Sequence, residues 1–433
     1  MANRKEISPA RLAAFNILQQ VEKGAFSSIL LAAEEPRLQP VDRALCHELV
    51  LGVLRWQLNL DKIVEHFAKR RIESLDPAVR IALRLGLYQL RFLTRIPASA
   101  AVNESVSLVR LARLSSATGF VNAVLRRAIR EADYDPATDV SDQLERIAIQ
   151  TSHPRWLIER WARSFGIEEA EAFAQANNTV PPTAFRVVRV RANETKVLSK
   201  LTSTGATVQP SHVAAGAWRV SGATSLVREL SAAGEIYLQD EASQLVAEVL
   251  DVKANERALD LCAAPGGKTT LMADSAADHA LIVAADRSAT RMDTVIATTD
   301  LQGLKSINPL LLDAGDKLPF TSNVFDKVLL DAPCSGTGTL RRNPEIRWRL
   351  SEDDISAFSE NQKRFLANAA EVVRPGGRLV YSTCSVEREE NEEVIEEFVA
   401  RDDRFIPAST KRTWPQREGA DGFFIAVFDR RQD

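Results

Sequence analysis

The stretch ALDLCAAPGGKT, residues 258–269, decides the fold of this chain. It reads as a short apolar strand (ALDL, 258–261), a turn of small residues and the opening of a helix at Thr269. Two glycines and their small neighbours let a ligand approach the backbone, and a helix N-terminus favours negative charge there. Gly267-Lys268-Thr269 matches the end of a phosphate-binding P-loop. The glycine such a loop needs five residues earlier is Cys262, so that reading fails.

Working outward, LIVAAD (281–286), KVLLD (327–331), RLVYS (378–382) and FFIAVF (423–428) are further short apolar runs, most of them separated by amphipathic stretches. The alternation predicts a buried parallel sheet wound on both sides from Tyr237 onward. In such a sheet ligands bind beyond the carboxyl ends of the strands. Asp286 closes LIVAAD nineteen residues past Gly267, where a carboxylate accepts both hydroxyls of a ribose. Asp313 follows NPLLL, where an adenine amino group would lie. NAD, FAD and S-adenosylmethionine sites share this pattern, and each aspartate alone reads equally well as a loop or capping carboxylate.

KVLLD ends in Asp331 and runs into Ala332-Pro333-Cys334-Ser335-Gly336-Thr337-Gly338, while RLVYS runs into Thr383-Cys384-Ser385. Two of the four cysteines therefore fall just past strands expected to be neighbours. Cys46, inside RALCHELV, and Cys262 read more simply as packing thiols. A thiol at a strand end beside a Gly-rich loop can be held as thiolate, the nucleophilic form. Beside a nucleoside-type cofactor, that points to one reaction. Carbon 5 of a pyrimidine is not nucleophilic by itself. A thiolate adding at carbon 6 turns the ring into an enamine, whose carbon 5 can attack a methyl sulfonium. A second group then helps remove the carbon 5 proton so that the thiol leaves. Asp331, Cys334 and Cys384 are the candidates for these roles.

Upstream, residues 1–130 read as helices throughout. Apolar residues recur at three- and four-residue spacing in ARLAAFNILQQVEKG, RALCHELVLGVLRWQLNLDKIVEHF, PAVRIALRLGLYQLRFL and VNAVLRRAIREA. Asp76-Pro77 is an N-cap followed by proline in the first turn. Residues 131–150 read as an acidic connection ending in a short helix. From Ser152 to about Gly234 the helical SHPRWLIERWARSF and EEAEAFAQANN mix with the strand-like TAFRVVRVRAN and AWRVSG. The expected layout is an all-α domain over 1–135, a small α+β subdomain over 151–235 and an α/β catalytic domain over 236–433.

Net charge is −3, but it is unevenly spread. Residues 1–130 carry 20 Lys and Arg against 11 Asp and Glu, and the remainder carries 35 against 47. A basic front on an acidic back suggests an anionic partner for the front, nucleic acid first. No stretch approaches the ~20 apolar residues of a membrane helix, and the N-terminus lacks the pattern of a secretory signal. The four dispersed cysteines contain no CxxC pair, which argues against a disulfide framework or a zinc site. A cytoplasmic protein without metal or membrane partner is expected, with a monomer favoured.

LDLCAAPGGKT, LLDAPCSGTG, RRNPEIRW and YSTCSVEREENEEV resemble the signature segments of bacterial rRNA cytosine-C5 methyltransferases, nearest the RsmB (Sun or Fmu) type, which modifies 16S rRNA. The resemblance covers essentially the whole chain. It implies an α/β fold: a Rossmann-like S-adenosylmethionine-dependent methyltransferase domain, preceded by an all-α NusB-like RNA-binding bundle and a small α+β subdomain. SHPRW and YLQDEAS fit that layout. It further implies S-adenosylmethionine as cofactor and 16S rRNA as partner. Cys384 would be the nucleophile, Cys334 would assist release of the methylated product, and Asp331 would hold the target base. Cys262, Ala263, Ala264, Pro265, Gly266, Gly267 and Lys268, with Asp286, Asp313 and Asp331, would contact the cofactor. The segment after Asp313, AGDKLPF, adds few anchors. Two other readings compete. An exocyclic-amino RNA methyltransferase would carry a (D/N/S)PP(Y/F)-like motif at the fourth strand. Here the motif is DAPC, and Cys384 would be left without a task. An RNA-binding or antitermination module with an inactive methyltransferase domain would suit the helical half, but the intact acids and both cysteines argue against decay.

The basic front domain makes a prediction of its own. RNA affinity should fall linearly as log[salt] rises, and reversing the charges of Arg70, Arg71 and Arg127 should weaken binding and flatten that slope. A filter-binding series over salt measures both; a slope unchanged by the reversals would leave these arginines as solvated surface.

Overall fold

The computed structural model describes residues 7–432. The chain divides into two compact units, Met1–Thr179 with Leu340–Arg349, and Val180–Thr339 with Leu350–Asp433.

The first unit is helical. Pro9–Glu22, Pro40–Arg55, Gln57–Ala68, Pro77–Phe92, Ala98–Leu111 and Thr118–Arg130 pack around one apolar core that includes Phe15, Leu49, Leu60, Ile81, Leu85 and Leu125. Three of these helices open on proline, whose missing N–H costs nothing in the first turn. Asp76 caps the helix Pro77–Phe92 through the Ala78 amide at 2.9 Å. Inside the bundle Arg84 makes a two-pronged bond to Asp61, both arms 2.7 Å, and a third to Glu22 at 2.9 Å. Leu340–Arg349 also belongs here: the Ser27 amide and hydroxyl both donate to Glu345 at 2.9 Å.

The second unit holds two sheets. β1 (Thr183–Val187), β2 (Thr207–Pro210), β3 (Ala217–Ser221) and β4 (Ile236–Leu238) form an antiparallel sheet in the order β2-β3-β1-β4. Helices Glu194–Ser203 and Thr224–Ala232 close its core over Phe185, Leu201, Val227 and Leu230. The strand read from TAFRVVRVRAN stops at Val187; the Val188 carbonyl accepts from the Arg191 and Ala192 amides, which turns the chain.

The larger sheet contains β5 (Arg257–Asp260), β6 (Leu281–Asp286), β7 (Ile307–Leu311), β8 (Phe325–Asp331), β9 (Val373–Thr383), β10 (Phe405–Thr413) and β11 (Phe423–Arg430). Its order is β10-β11-β9-β8-β5-β6-β7. The first five strands in chain order pair in parallel. Strands β8, β9 and β11 are apolar on both faces: Leu329, Val380 and Ile425 join one core, Leu330, Tyr381 and Phe424 the opposite one, while the edge strand β7 is largely exposed. That is the burial expected of a doubly wound sheet. The expected all-parallel sheet needs one correction. β11 runs antiparallel to β9 and β10, because the short loop between β10 and β11 cannot hold the crossover a parallel pair requires. The strand order reverses at β5, which has β6 on one side and β8 on the other. This switch point opens the crevice in which such folds bind ligands.

The Arg84–Asp61 pair makes a test of the first unit. Both groups are buried, so Asp61→Ala leaves the guanidinium held by Glu22 but stripped of its two-pronged partner and should cost up to about 3–5 kcal/mol, whereas the double change Asp61→Leu/Arg84→Met should cost far less. Chemical unfolding of the full chain, read on the first unit, measures both. Equal losses would mean that the charges themselves contribute nothing.

Candidate active site

The ends of β5, β6, β7, β8 and β9 surround a cavity of about 290 Å³, near the lower limit of small-molecule pockets. Cys262, Ala264, Asp286, Asp313, Asp331, Cys334 and Cys384 all line it. Residues scattered over more than 120 positions thus converge because five strand ends lie on one edge. Ala263, Pro265, Gly266, Gly267 and Lys268 do not line the cavity. They shape the turn behind it. Gly266 takes φ of 102°, the left-handed region that favours glycine. A Cβ on Gly267 would come within 2.9 Å of the Tyr237 ring.

Asp286 ends β6 and is 3% exposed. It accepts from the Ser288 amide at 3.0 Å and faces Arg291 at 3.6 Å. Arg291 also reaches the Ala264 carbonyl at 2.8 Å and so ties the small-residue turn to the next loop. Asp313 accepts from the Gly315 amide at 2.8 Å. A Cβ on Gly315 would come within 2.9 Å of both Arg364 and Phe365, two residues of the cavity wall.

Lys268 turns inward to Asp331, Nζ to Oδ2 2.5 Å, while Ser382 donates to Asp331 Oδ1 at 2.7 Å. Burial works against the ammonium, but the Asp331 carboxylate outweighs it and raises the Lys268 pKa. The Sγ atoms of Cys334 and Cys384 lie 3.3 Å apart. The Cys384 sulfur, and then burial, push the Cys334 thiol well above the usual range. Burial raises Cys262 as well, with Asp260 adding to it.

Sequence reasoning missed several groups. Asp260, the last residue of β5, is 1% exposed. Its Oδ2 accepts from Thr269 at 2.7 Å, and its Oδ1 is buried without a hydrogen-bond partner. Burial, opposed by the Thr269 bond, lifts its pKa to about 7. In the sequence it reads only as a strand residue. Phe358, Asn361 and Phe365 form the far wall. Phe358 and Phe365 flank the buried stripe of the helix Glu352–Val372 that holds Ile355, Leu366 and Ala369, so periodicity reads them as ordinary core residues. RRNPEIRW, quoted with the motifs, lies outside the cavity. Among the described residues no group of three or more His, Cys, Asp or Glu side chains could hold a metal ion, and no helix is long and apolar enough to cross a membrane.

A doubly wound sheet with a cavity at its switch point, lined by strand-end carboxylates and two facing thiols, defines an α/β enzyme of the nucleotide-cofactor-binding class. Residues 247–429 match the family model described as 16S rRNA methyltransferase RsmB/F, residues 8–130 the NusB family, and residues 153–226 the ferredoxin-like domain of RsmF/B-like methyltransferases. The chain belongs to the RsmB/F methyltransferase family. A Bacillus subtilis protein named "Probable ribosomal RNA small subunit methyltransferase B" is 33% identical over 99% of this chain and all of its own length. Ribosomal RNA small subunit methyltransferase B of Pseudomonas putida is 35% identical over 96% of this chain and 97% of its own. The crystal structure of PH0851 superposes with a TM-score of 0.85 at 29% identity, covering 98% of this chain and 99% of that one.

Asp260 makes the site testable by pH. An unfolded aspartate titrates near ~3.9, so the folded protein holds this proton more tightly. The stabilisation is complete below that value and is lost as pH rises through about 7. Asp260→Asn keeps the acceptor for Thr269 and carries no charge. Its melting temperature relative to the native protein should therefore climb between pH 5 and 8.5. A difference that stays constant across that range would mean Asp260 does not titrate there.

Proposed function

We propose that this protein transfers a methyl group from S-adenosylmethionine to carbon 5 of a cytosine in 16S rRNA, through a covalent adduct between Cys384 and carbon 6. The observation that carries the reading is the 3.3 Å approach of the Cys334 and Cys384 sulfurs at the wall of a cavity that Asp286 and Asp313 also line.

The cavity fits the cofactor on its own chemistry. Asp286 at the end of β6 suits a ribose diol, and the turn at Ala264 lets an adenosine approach the backbone. Asp331, ion-paired to Lys268, and the buried, unpartnered oxygen of Asp260 behind the turn offer acceptors at this end of the site, which suits a sulfonium and an ammonium. S-adenosylmethionine supplies an electrophilic methyl group when bound. Asp331, fixed by Ser382 and Lys268, accepts from the amino group of the cytosine. Cys384 as thiolate gives its electron pair to carbon 6, and the resulting enamine makes carbon 5 nucleophilic. After carbon 5 is methylated its proton must leave. Cys334 takes that proton; the C–H pair restores the 5,6 double bond, and the C6–S bond breaks to return the thiolate to Cys384. A thiol whose pKa is raised gives, once ionised, a strong base. The 16S rRNA target follows from the names its relatives carry. A base inside a duplex exposes no path to carbon 6, so the cytosine must be flipped out or lie in a loop.

The two thiols should fail differently. Cys384→Ala should form no covalent RNA adduct. Cys334→Ala should attack and methylate but not release, accumulating protein joined to methylated RNA through Cys384; the double variant should show none. A denaturing gel with a labelled 16S rRNA fragment and S-adenosylmethionine reads the shifted band. Trapping by Cys384→Ala instead would exchange the roles, and full activity in both would end the thiol mechanism. Bisulfite sequencing of the RNA would name the cytosine.

A further inference from the structure

Behind the two thiols lies a carboxylate that the proposed chemistry does not use. Glu390 is 0% exposed. Its Oε1 accepts from the Ser335 amide at 2.8 Å and from Gln362 Nε2 at 3.0 Å. Its Oε2 accepts from the Ser385 hydroxyl at 2.5 Å and from the Ser335 hydroxyl. Ser335 follows Cys334 directly, and Ser385 follows Cys384 directly. One carboxylate therefore grips both thiol loops at the residue next to each sulfur.

The surroundings make this more than incidental packing. Among the described residues no cation pairs with Glu390; all four donors are neutral. A buried carboxylate without a counter-ion is expensive unless its lone pairs are filled. Here they are, two donors to each oxygen, an acceptor count that no neutral side chain offers. The donors are anchored in turn. Gln362 also donates to the Pro333 carbonyl at 2.9 Å, just before Cys334. Tyr381, from β9, donates to the Glu390 backbone carbonyl at 2.6 Å. The Ser335 and Ser385 hydroxyls lie 3.0 Å apart.

We infer that Glu390 is a positioning residue: by binding Ser335 and Ser385 together it sets the spacing of Cys334 and Cys384. It touches neither the cavity nor a sulfur. The consequence for methyl transfer rests on the covalent reading above, so the test is chosen to run without RNA. Phenylarsine oxide condenses with two thiols that lie within a few ångströms, forming two As–S bonds and releasing one water. Applied to the full-length protein, it should label the native chain once, and label neither Cys334→Ala nor Cys384→Ala.

Glu390→Ala should lower the affinity for the arsenical about tenfold or more, the scale expected when reacting groups lose their alignment, while cofactor affinity and single-thiol alkylation by iodoacetamide persist. Glu390→Gln should restore most of the capture, because its oxygen still accepts from the amide and its nitrogen can reach both hydroxyl oxygens. A role in folding alone would instead lower the melting temperature and leave capture by the folded protein unchanged. Should Glu390→Ala not fold, Ser335→Ala/Ser385→Ala keeps the carboxylate but cuts its hold on the second loop, and the same loss is expected. Native-like capture by either folded variant overturns the inference, as does a native protein that captures nothing. A native protein that captures the arsenical through both cysteines yet methylates no RNA would leave the spacing intact and overturn the proposed function instead.

Discussion

Asp331 stands opposite Ser382 in the parallel pairing of β8 with β9, and the site depends on that register. The Ala332 amide closes the ladder on the Ser382 carbonyl at 2.8 Å. Beyond this rung each strand needs only two or three residues to reach its cysteine. A slip of two residues would move one thiol loop along the other by ~6.6 Å, at about 3.3 Å per residue. Apolar patterning does not prevent such a slip, because both strands are apolar on both faces. Polar ties at the strand ends do so: Ser382 on Asp331, and the close pairing of Gly338 with Gly422. There the Gly422 amide donates to the Gly338 carbonyl at 2.8 Å, and a Cβ on Gly338 would overlap the Gly422 carbonyl.

The same crowding sets the electrostatics. Asp260 accepts from Thr269 just past the turn Cys262–Lys268, Asp286 accepts from the Ala264 amide at 3.4 Å, and Asp331 pairs with Lys268, which answers only this one of the three directly. Asp286 is offset by Arg291, which is half exposed and therefore contributes less. Asp260 has no cation of its own, and it is the group driven up to about 7. Asp286, Asp313 and Asp331 line the crevice together with Arg287, Arg291 and Arg364, so the carboxylates act locally rather than through an excess of negative charge. Cys262 and Cys334 are both raised, Cys262 first by burial and then by Asp260, Cys334 first by the Cys384 sulfur and then by burial.

Much of this was legible before any coordinates. Strand–turn–helix at 258–269, the four further apolar runs and the two cysteines past neighbouring strands all follow from local pattern, and patterns of period two and 3.6 survive folding. What was not legible depends on distance along the chain. Glu390 lies in an acidic run, EREENEEV, where one buried carboxylate looks like its exposed neighbours. Only its long-range donors Ser335 and Gln362 distinguish it. Strand β10 escaped notice because it is an edge strand whose residues between Ile406 and Lys411 are exposed, leaving no alternation to read. The antiparallel sense of β11 followed from that omission, since without β10 the last strand seemed to continue the parallel series.

RRNPEIRW shows how a motif's place in sequence can mislead about its work. It follows the Cys334 loop almost at once, which suggests a part in the chemistry. Yet the chain leaves the second unit after Thr339, gives Leu340–Arg349 to the first, and returns at Leu350. Arg347 is fully buried there. It is held by neutral acceptors: the Ser152 carbonyl at 3.1 Å, Asn178 Oδ1 at 3.0 Å and the Arg55 carbonyl at 3.4 Å. Burial, with Arg55 nearby, lowers its pKa to about 9, so the charge persists at neutral pH and must be solvated by carbonyl dipoles. Carbonyls from Arg55, Ser152 and Asn177 come from separate segments of the helical unit, and no uncharged side chain offers enough donors to gather them. Glu345, Arg347 and Trp348 of the motif thus serve the packing of the first unit. The catalytic reading rests on the strand ends alone.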